Sequence, residues 1–436
     1  MASGRQEETG LKTVAVVGGG YSGTILTAEL ARVGVATILV EQGERFAAGA
    51  AYRTREDRHL LNVRARSMSA FAGDPEHFAK WVEAQGLGDG GTFVRRRDYH
   101  RYIAAILEEA VASGHVRLVH GQAVAAEADA LVLSGGERIG CSAIVLAGGN
   151  YPSRLPALLQ TKHSVDDPWS AEGVAKRAAL AALDSDVLLL GTGLTMVDVA
   201  LSLDSAGFKG RIVATSRRGL VPRAHEKVPA APLAAPAPAG LLELARWLRA
   251  AAPERGWRAA VDALRPVTRD IWQALSLAEK KRFLRHGRPW WDVHRHRIAP
   301  QAAARVAALR ADGRLEVVAG RITALEGGEV RINRRGGGET RAQVASVVNC
   351  TGPEGSIGRV GDPLIRRLLE SGTGRPDPLG IALDVDAQSR LVTGDGTTSP
   401  NLYALGPLTR GVFWEMVAVP DIRGQAQGLA ALLANR

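Results

Sequence analysis

The sequence predicts an α/β protein built from two Rossmann-like dinucleotide-binding domains, the first of them discontinuous, with a helical insertion. Two glycine-rich turns, at residues 18–23 and 191–196, each follow a short apolar run and each open a helical pattern. One such turn is a weak indication of nucleotide binding. Two of them, about one domain length apart, indicate two nucleotide-binding units in one chain.

The first turn is the more completely specified. The apolar run 13–17 leads into it as a buried parallel strand, and a second strand at 36–40 ends at Glu41. Glycine at three positions permits a tight bend, close approach of a pyrophosphate to the backbone and close helix–strand packing. An acid at the end of the second strand accepts hydrogen bonds from an adenosine ribose. Helix N–H groups from about Ser22 onward favour the phosphates.

The second turn is less regular, because Met196 stands where a third glycine or alanine is expected. Residues 187–190 and 211–215 predict the strands on either side of its helix. The later strand is followed by Arg217 and Arg218 instead of an acid. Guanidinium groups bind a 2′-phosphate in a fork, so the sequence favours NADPH over NADH. The alternative is two solvated arginines at the end of a strand.

Length and composition fit a multidomain globular protein. The chain has 436 residues, of which 46% are hydrophobic, and no apolar run is long enough to cross a bilayer. The first ten residues lack the apolar core of a secretory signal, so we expect a cytoplasmic protein. Cys141 and Cys350 each lie in or beside an apolar segment, which predicts buried thiols. The lack of a C-x-x-C pair argues against a disulfide reductase.

The net charge of +10 raises the question of nucleic-acid binding. The basic residues are mostly arginines that scatter through every segment, without a lysine-rich tail or an aromatic-interleaved patch. We therefore expect no nucleic-acid partner and no membrane partner. Part of the charge is expected to serve anionic cofactors, and most of it to be solvated surface.

The order of elements predicts that the first domain is interrupted by the second. Residues 1–160 contain, near their end, a strand at 143–149 with its glycine exit at Gly148. Residues 161–340 form the second domain, and residues 341–436 return to the first. The second domain contains an Ala/Pro-rich linker at 228–239 and a helical insertion at about 240–311. Near the end, a strand stops at Gly406 and a helix begins near Pro420, where helix N–H groups would stabilise negative charge.

Several groups of residues together resemble the FAD/NAD(P)-binding oxidoreductases, relatives of the flavin-containing, Baeyer–Villiger and amine N-hydroxylating monooxygenases. They are the two glycine turns, residues 60–63, 216–219, 349–353 and 409–411, with Trp414 and Glu415. The resemblance covers nearly the whole chain and implies bound FAD and NADPH. The implied cofactor-binding residues are Gly18, Gly20, Tyr21, Ser22, Gly23, Glu41, Gly148, Gly191, Gly193, Leu194, Thr195, Arg217, Arg218, Thr351, Gly352 and Gly406.

Two positions depart from the family pattern. Many flavoproteins have an acid after the glycine of the C-terminal strand, which holds the ribityl chain, and this sequence has Pro407 there. Met196 replaces a small residue of the second turn. The first departure bears on the predicted contacts to the flavin, and the second bears on the predicted binding of NADPH.

The resemblance implies an FAD-dependent, NADPH-consuming monooxygenase that adds one oxygen atom from molecular oxygen to a small-molecule substrate through a C4a-peroxyflavin. An amine is the first expectation for the substrate. One alternative is a flavin reductase or dehydrogenase that passes electrons to a quinone or a protein carrier. Another is a non-catalytic FAD-binding redox sensor. A homodimer is left open.

Five residues are candidates for the chemistry. Asn62 hydrogen-bonds a flavin intermediate or merely caps a turn. Trp414 and Glu415 stack on a substrate and hold its amine, or serve core packing and a helix-proximal charge. Arg410 and His225 are candidates for tuning charge near the flavin or the nicotinamide.

Residues 292–296 resemble a cluster of metal ligands. In an extended segment, Asp292, His294 and His296 would project from one face and chelate zinc. Arg295 and Arg297 crowd that face with positive charge, so we expect no metal. The other interpretations are the substrate side of the flavin, a cofactor phosphate contact, or solvated surface residues.

Overall fold

The computed structural model describes residues 12–183, 185–226, 233–236 and 240–436, so most of the linker predicted at 228–239 lies outside the described residues. The strands of the described part are β1 (Val14–Val17), β2 (Thr37–Glu41), β3 (Val116–His120), β4 (Ala123–Ala126), β5 (Ala130–Leu133), β6 (Arg138–Gly140), β7 (Ala143–Leu146), β8 (Asp186–Leu190), β9 (Ile212–Ser216), β10 (Leu315–Glu326), β11 (Glu329–Arg334), β12 (Glu339–Asn349), β13 (Arg390–Val392) and β14 (Thr398–Ala404). The α-helices are α1 (Tyr21–Arg32), α2 (Gly49–Tyr52), α3 (His77–Ala84), α4 (Arg96–Ala112), α5 (Ala171–Leu180), α6 (Leu194–Ser205), α7 (Leu241–Arg255), α8 (Trp257–Leu264), α9 (Thr268–Ala274), α10 (Leu277–Arg282), α11 (Arg288–Arg295), α12 (Pro300–Ala311), α13 (Pro363–Glu370), α14 (Arg410–Phe413) and α15 (Val419–Ala434).

Strands from both ends of the chain form one six-stranded sheet, in the order β13-β14-β7-β1-β2-β3. Strands β14, β7, β1, β2 and β3 are parallel, and β13 runs antiparallel at the edge. The chain order reverses at β1, which has β2 on one side and β7 on the other. In open parallel sheets the ligand crevice lies at such a switch point, outside the carboxyl ends of the strands. The first glycine turn follows β1 at that point.

The two faces of this sheet bury different elements. Val14 and Val16 pack with helices α1, α4 and α15 in one apolar core. Ala15 packs in a second core with the antiparallel sheet β4-β5-β6 and helix α13. Successive strand residues point to opposite faces, so the short apolar run of β1 fills both cores at once.

The strands of the second domain close into a ring, in the order β10-β11-β12-β8-β9. The beginning of β10 is parallel to β9, and the end of β12 is parallel to β8. The remaining parts of these two long strands pair antiparallel with β11. The second glycine turn leads from β8 into α6, so each sheet presents one glycine turn at the end of a central parallel strand.

Residues 346–349 lie in the segment 341–436 that the sequence assigns to the first domain, but the strand that they form does not belong to the first sheet. They are the end of β12, which pairs with β8 from Val344 to Asn349. The predicted boundary at residue 340 therefore cuts through a strand of the second sheet, and the chain re-enters the first sheet at β13. An apolar run with a glycine exit looks the same for either sheet, so the local pattern does not select the partner strand.

Two chain segments side by side connect the domains, and a buried ion pair links them further. Pro152 and Pro353 form an antiparallel bridge between the two connections. Arg96 Nη1 of α4 lies 2.8 Å from Asp198 Oδ2 of α6, and both side chains are largely buried. These contacts fix the position of the first glycine turn relative to the second.

The insertion is helical as predicted and consists of α7 to α12. Its own small core contains Leu244, Leu264 and Ile271. The insertion also contacts the C-terminal part of the first domain, because the Trp272 indole N–H donates to the Gly411 carbonyl oxygen at 2.9 Å. The insertion therefore packs against the chain segment that precedes α15.

The Asp204 carboxylate near the end of α6 is a buried acceptor for three arginines. Arg305 binds it in a fork, at 2.7 Å from Nε and 2.6 Å from Nη2, Arg314 Nη1 lies 2.8 Å away, and Arg58 completes the group. Hydrogen bonds from Arg305, Arg314 and Arg58 hold the pKa of Asp204 well below its usual value. Arg58 comes from the first domain, so this cluster also joins the two domains.

We predict that Asp204→Asn lowers the free energy of unfolding by about 2 kcal/mol at neutral pH, because three guanidinium groups lose their carboxylate. Since the folded-state pKa lies below the unfolded value, this stabilisation is complete above roughly pH 4 and is lost as the pH falls further. Urea unfolding measures it. The exposed pair of Glu326 and Arg331 gives the control, Glu326→Gln, which should change stability by less than about 0.5 kcal/mol. Equal effects of the two substitutions would contradict the prediction.

Candidate functional site

The first glycine turn holds β1 and α1 unusually close together. The Gly18 amide donates to the Val40 carbonyl oxygen at 2.8 Å, which ties the turn to β2. A Cβ at Gly23 would overlap the Gly18 carbonyl oxygen, so the third glycine is required where α1 meets the turn. Helix α1 begins at Tyr21 without a side-chain cap. Its first N–H groups are therefore suited to an anionic ligand.

Glu41 at the end of β2 is directed at the same turn. Its Oε2 accepts a hydrogen bond from the Gly19 amide at 2.6 Å, and its Oε1 accepts one from the Gly43 amide at 2.7 Å. An acceptor carboxylate thus borders the glycine turn, which is the arrangement that a ribose-binding acid requires.

The C-terminal strand brings Gly406 to the first turn. Gly406 has a φ of +70°, and a Cβ there would lie 2.6 Å from Ser22 Oγ. Its amide donates to Gln425 Oε1 of α15 at 2.9 Å. Gly148 lies at the exit of the neighbouring strand β7. The ends of β1, β7 and β14 and the first turn of α1 therefore meet at one edge of the sheet. Sequence reasoning missed Gln425, which has no motif around it.

The second turn resembles the first with one difference. Gly191 has a φ of +114°, and a Cβ there would overlap the Cys350 carbonyl oxygen. Gly193 faces open space, and α6 begins at Leu194, followed by Thr195, without a side-chain cap. Met196 is fully buried in the core of the second domain. A methionine therefore packs where Gly23 lets α1 contact the first turn.

Arg217 and Arg218 follow β9 beside the second turn. Thr192 Oγ1 lies 2.8 Å from Ser216 Oγ, which joins the turn to the end of β9. Arg217 is exposed and Arg218 is half-buried, and neither makes a hydrogen bond or ion pair with another described residue. Two unpaired guanidinium groups close to an uncapped helix start suit a phosphate.

Thr351 and Gly352 lie in the second connection between the domains. Thr351 Oγ1 donates to Asn349 Oδ1 at 2.7 Å and lies 2.8 Å from Ser153 Oγ. Ser153 Oγ also donates to the Gly352 carbonyl oxygen at 2.8 Å. Because Ser153 belongs to the first connection, these groups hold the two connections together, and their cofactor role stays a prediction.

Asn62 and His225 meet where the first domain contacts the second. His225 Nε2 donates to the Asn62 carbonyl oxygen at 2.8 Å, and its ring packs on Phe93 with centroids 5.2 Å apart. Burial, together with the positive charges of Arg297 and Arg64, lowers the pKa of His225 to about 4, although that hydrogen bond opposes the shift. His225 is therefore neutral at physiological pH and supplies a hydrogen bond. Its predicted role in tuning charge near a cofactor stays a prediction.

Arg410 begins α14 and borders a small cavity between the exits of β7 and β14. Its Nη2 donates to the carbonyl oxygens of Glu354 at 2.7 Å and Ile381 at 2.9 Å. Burial lowers the pKa of Arg410, and Arg288 lowers it further. Within the described part of the chain no carboxylate forms an ion pair with Arg410, although Asp377 and Glu354 act on it at longer range.

Trp414 has a left-handed backbone conformation with a φ of +57°. Its ring stacks on Trp272, with centroids 4.4 Å apart and planes inclined by 21°, and the ring of Phe283 meets it edge-on at 5.4 Å. Positive φ costs a bulky residue about 1–3 kcal/mol, and aromatic packing offsets part of that cost. One face of the indole is therefore occupied by Trp272, which favours the packing role on that face.

Glu415 is almost fully buried and is joined to α11. Its Oε2 lies 3.0 Å from Arg295 Nη2, and its Oε1 accepts from Trp291 Nε1 at 2.9 Å. Burial opposes ionisation, but Arg295 and His296 outweigh it and hold the pKa of Glu415 below its usual value. The carboxylate is thus charged and already paired, so a substrate amine would have to compete with Arg295.

The start of α15 offers fewer donors than the sequence predicts. Pro420 lies in the first turn and has no N–H, and Asp421 follows it. Burial raises the pKa of Asp421, although Arg265 opposes the rise. An anion at this helix start would therefore meet a carboxyl group as well as N–H groups.

Asp292, His294 and His296 do not form an extended segment. The first two lie in α11 and the third follows its end, and helical residues two apart do not share a face. Asp292 pairs with Arg288 at 3.4 Å, and His294 Nδ1 lies 2.8 Å from the Trp290 carbonyl oxygen. In the described part of the chain, no group of three His, Cys, Asp or Glu side chains is placed to hold a metal ion.

We predict that the free energy of unfolding falls as the pH drops from about 6.5 to about 4. In this range His225 is protonated in the unfolded chain but stays neutral in the folded protein, because its folded-state pKa lies below the unfolded one. His225→Gln keeps an N–H donor and should flatten that part of the profile. Urea unfolding across the pH range tests this, with His115→Gln as the exposed control. Identical slopes for the wild type and His225→Gln would contradict it.

Comparisons with known proteins agree with this geometry. The FAD-NAD(P)-binding family model matches residues 15–151, whereas no curated protein matches the sequence. In the described residues no helix is long and apolar enough to cross a bilayer.

Solved structures with similar folds cover nearly the whole chain. L-lysine 6-monooxygenase from Pseudomonas syringae is 16% identical with a TM-score of 0.66, and the alignment covers 97% of this chain and 99% of that enzyme's chain. Ornithine N-hydroxylase from Kutzneria sp. 744, solved with reduced FAD, NADP+ and L-ornithine, is 16% identical with a TM-score of 0.64. The alignment covers 97% of this chain and 99% of that enzyme's chain. Bacillithiol disulfide reductase from Bacillus cereus is 14% identical with a TM-score of 0.56, and the alignment covers 98% of this chain and 99% of that enzyme's chain. The chain therefore has the fold of the two-dinucleotide-domain flavoproteins, and residues 15–151 of its first domain are the part that matches the FAD-NAD(P)-binding family model.

Proposed function

We propose that the protein is an FAD-dependent, NADPH-consuming monooxygenase that adds one oxygen atom from molecular oxygen to a small-molecule amine. The observation that carries the proposal is the pair of uncapped helix starts at two glycine turns, one bordered by an acceptor carboxylate and the other by two unpaired arginines. A carboxylate suits a ribose and arginines suit a 2′-phosphate, so the two turns would select different dinucleotides.

The residues of the first turn fit FAD. The close backbone packing at Gly23 and the approach of Gly406 to Ser22 leave these positions without room for side chains. Glu41 would accept from the adenosine ribose, and the N–H groups at the start of α1 would bind the pyrophosphate. The chemistry supplied by FAD held there would be the acceptance of a hydride and the transfer of its electrons to oxygen. Arg410 would stabilise negative charge on that side of the first domain.

The second turn fits NADPH. Gly193 is open to solvent and α6 starts directly after it, so a pyrophosphate can approach the backbone. Arg217 and Arg218 would bind the 2′-phosphate. Met196 is buried beneath the helix, and its side chain does not occupy this surface.

The insertion and the segment before α15 would shield the reaction from water. Trp272, Trp414 and Phe283 form an aromatic layer between them, and the pair of Glu415 and Arg295 fixes α11 against the segment. Excluding water strengthens electrostatic interactions and protects reactive intermediates.

The cysteines argue against a disulfide reductase. Burial raises the pKa of Cys141 to about 11, and it raises the pKa of Cys350 further. Thiol chemistry needs an accessible thiolate, and both of these side chains are buried. A thiol-based reaction like the one named for the Bacillus cereus enzyme therefore has no group in this chain to carry it.

Product coupling tests the reaction class. Purified enzyme is supplied with NADPH, oxygen and each amine of a panel. For at least one amine, the moles of oxygenated product should nearly equal the moles of NADPH consumed. Hydrogen peroxide equal to NADPH with every amine, together with faster NADPH oxidation on adding a quinone, would favour the flavin reductase. Failure of NADPH to reduce the flavin would favour the redox sensor.

Arg217 and Arg218 give a test of the coenzyme preference. We predict that replacing both with serine raises KM for NADPH about 10- to 100-fold, because charge-assisted contacts to the 2′-phosphate are lost. KM for NADH should change little. Steady-state kinetics measures both constants. Arg321→Ser, at an exposed arginine of β10, is the matched control. An equal rise for NADPH and NADH would contradict the assignment.

Gly406 gives a test of the flavin site. We predict that Gly406→Ala loses most of the flavin, because the added Cβ meets Ser22 at a positive φ. Flavin absorbance per mole of purified protein measures the loss, and circular dichroism reports whether the variant folds. Gly424→Ala is the control, since a Cβ at this position of α15 meets nothing within 4 Å. Full flavin content in a folded Gly406→Ala protein would contradict the placement.

A further inference from the structure

The positive charge of this protein is concentrated in its helical insertion. Residues 241–311 contain 15 of the 55 Lys and Arg residues but 6 of the 45 Asp and Glu residues, a formal charge of +9 against +10 for the whole chain. This corrects the expectation of scattered charge: arginines occur everywhere, but elsewhere acids balance them. An uneven distribution of this kind sets up a strong local field.

Part of this charge lies on one exposed face of the stretch from α10 to α11. A turn of π-helix at Phe283–Gly287 joins the two helices, and such turns occur frequently at functional sites. Lys281, Arg282, Arg285, His286 and Trp290 are exposed along this stretch, at helical spacing, and we call them the outer cationic face.

Among the described residues, the charges of the outer cationic face lack close carboxylate partners, and Glu279 acts on Arg282 only at longer range. Lys281, Arg282 and Arg285 form no ion pair with any residue in the described ranges. Trp290 is 48% exposed, which is unusual for so large an apolar side chain. Tryptophan and arginine are the residue types that contribute most binding energy in protein interfaces.

The opposite side of the same stretch packs over the candidate active site. Phe283 meets the Trp414 ring at 5.4 Å, and Lys280 Nζ lies 5.5 Å from the centroid of Trp272. Trp291 donates to Glu415. A partner on the outer cationic face would thus lie one helix away from the segment that precedes α15.

We propose that the outer cationic face is a docking surface for an acidic patch on a partner protein. This goes beyond the proposed function, because it requires neither cofactor. Phe283 is directed inward at Trp272 and Trp414. The large apolar side chains that this stretch exposes are Leu277 and Trp290, which are too few for the broad apolar face that an interfacial membrane helix needs. Trp290 lies among cations, so it would instead be buried at the centre of an interface in which the surrounding cations pair with acidic side chains of the partner.

A nucleic acid is the less favoured polyanion. Phosphate-backbone binding relies on many cations along a groove, whereas this face is one short helical stretch. Single strands also require several aromatic platforms, and Trp290 is the one exposed aromatic residue of the face.

The test compares three probes on the intact flavin-loaded protein. A fluorescently labelled peptide rich in Asp and Glu, phosphatidylcholine–phosphatidylserine vesicles and duplex DNA are each titrated at low and physiological salt. The test variant is K281E/R282E/R285E. The matched control, R117E/R321E/R335E, reverses three other exposed arginines that form no ion pair within the described residues.

We expect the acidic peptide to bind the wild type and the control alike, and the test variant about tenfold more weakly or worse. NADPH oxidation without a partner should be unchanged in both variants, which separates this inference from the proposed function. Equal peptide binding by all three proteins would overturn the proposal. Vesicles or DNA that bind through these residues at physiological salt more tightly than the peptide would also overturn it.

A photo-cross-linking residue at position 286 identifies the partner class in producing cells. We expect cross-links to a protein segment rich in Asp and Glu that a probe at Arg335 does not give. Cross-links to lipid or nucleic acid, or the same products from both positions, would contradict a protein partner.

Discussion

Close backbone contact at the two glycine turns is the constraint on which the rest of the structure depends. Gly23 lies against the Gly18 carbonyl oxygen and Gly191 against that of Cys350, and neither contact leaves room for a Cβ. These contacts place the starts of α1 and α6 at the carboxyl ends of β1 and β8. A helix start held there without a side-chain cap favours anionic ligands. The two sheets, their apolar cores and the connections between the domains hold these two helix starts in place.

The turns differ in what surrounds them, and that difference gives them different expected ligands. The carboxylate of Glu41 borders the first turn, while Arg217 and Arg218 lie unpaired beside the second. Arg96 and Asp198 fix the two units against each other through a buried ion pair. The insertion adds a third part by placing aromatic and paired charged groups over the segment before α15. In the proposed function, cofactor binding, orientation and shielding from water would come from three separate parts of the chain.

Local patterns predicted most of the fold because they report directly on local structure. The run before Gly18 and the helix after it follow from periodicity and glycine spacing. The partner sheet of β12 did not follow, since strand pairing depends on distant residues. His225 and Glu415 were recognised as notable, but the Asn62 carbonyl and Arg295 that determine their states are distant in sequence. The helix over 292–295 likewise removed the metal geometry that an extended segment would have formed.

We infer that one polypeptide binds a flavin and a nicotinamide close enough for hydride transfer. The decisive measurement is an anaerobic titration of the purified protein with NADPH, followed by visible absorbance in the absence of oxygen and substrate. We expect the flavin band to bleach with about one equivalent of NADPH, because one hydride reduces one flavin. A flavin that stays oxidised in excess NADPH and NADH, or a protein that binds no flavin, would disprove this inference.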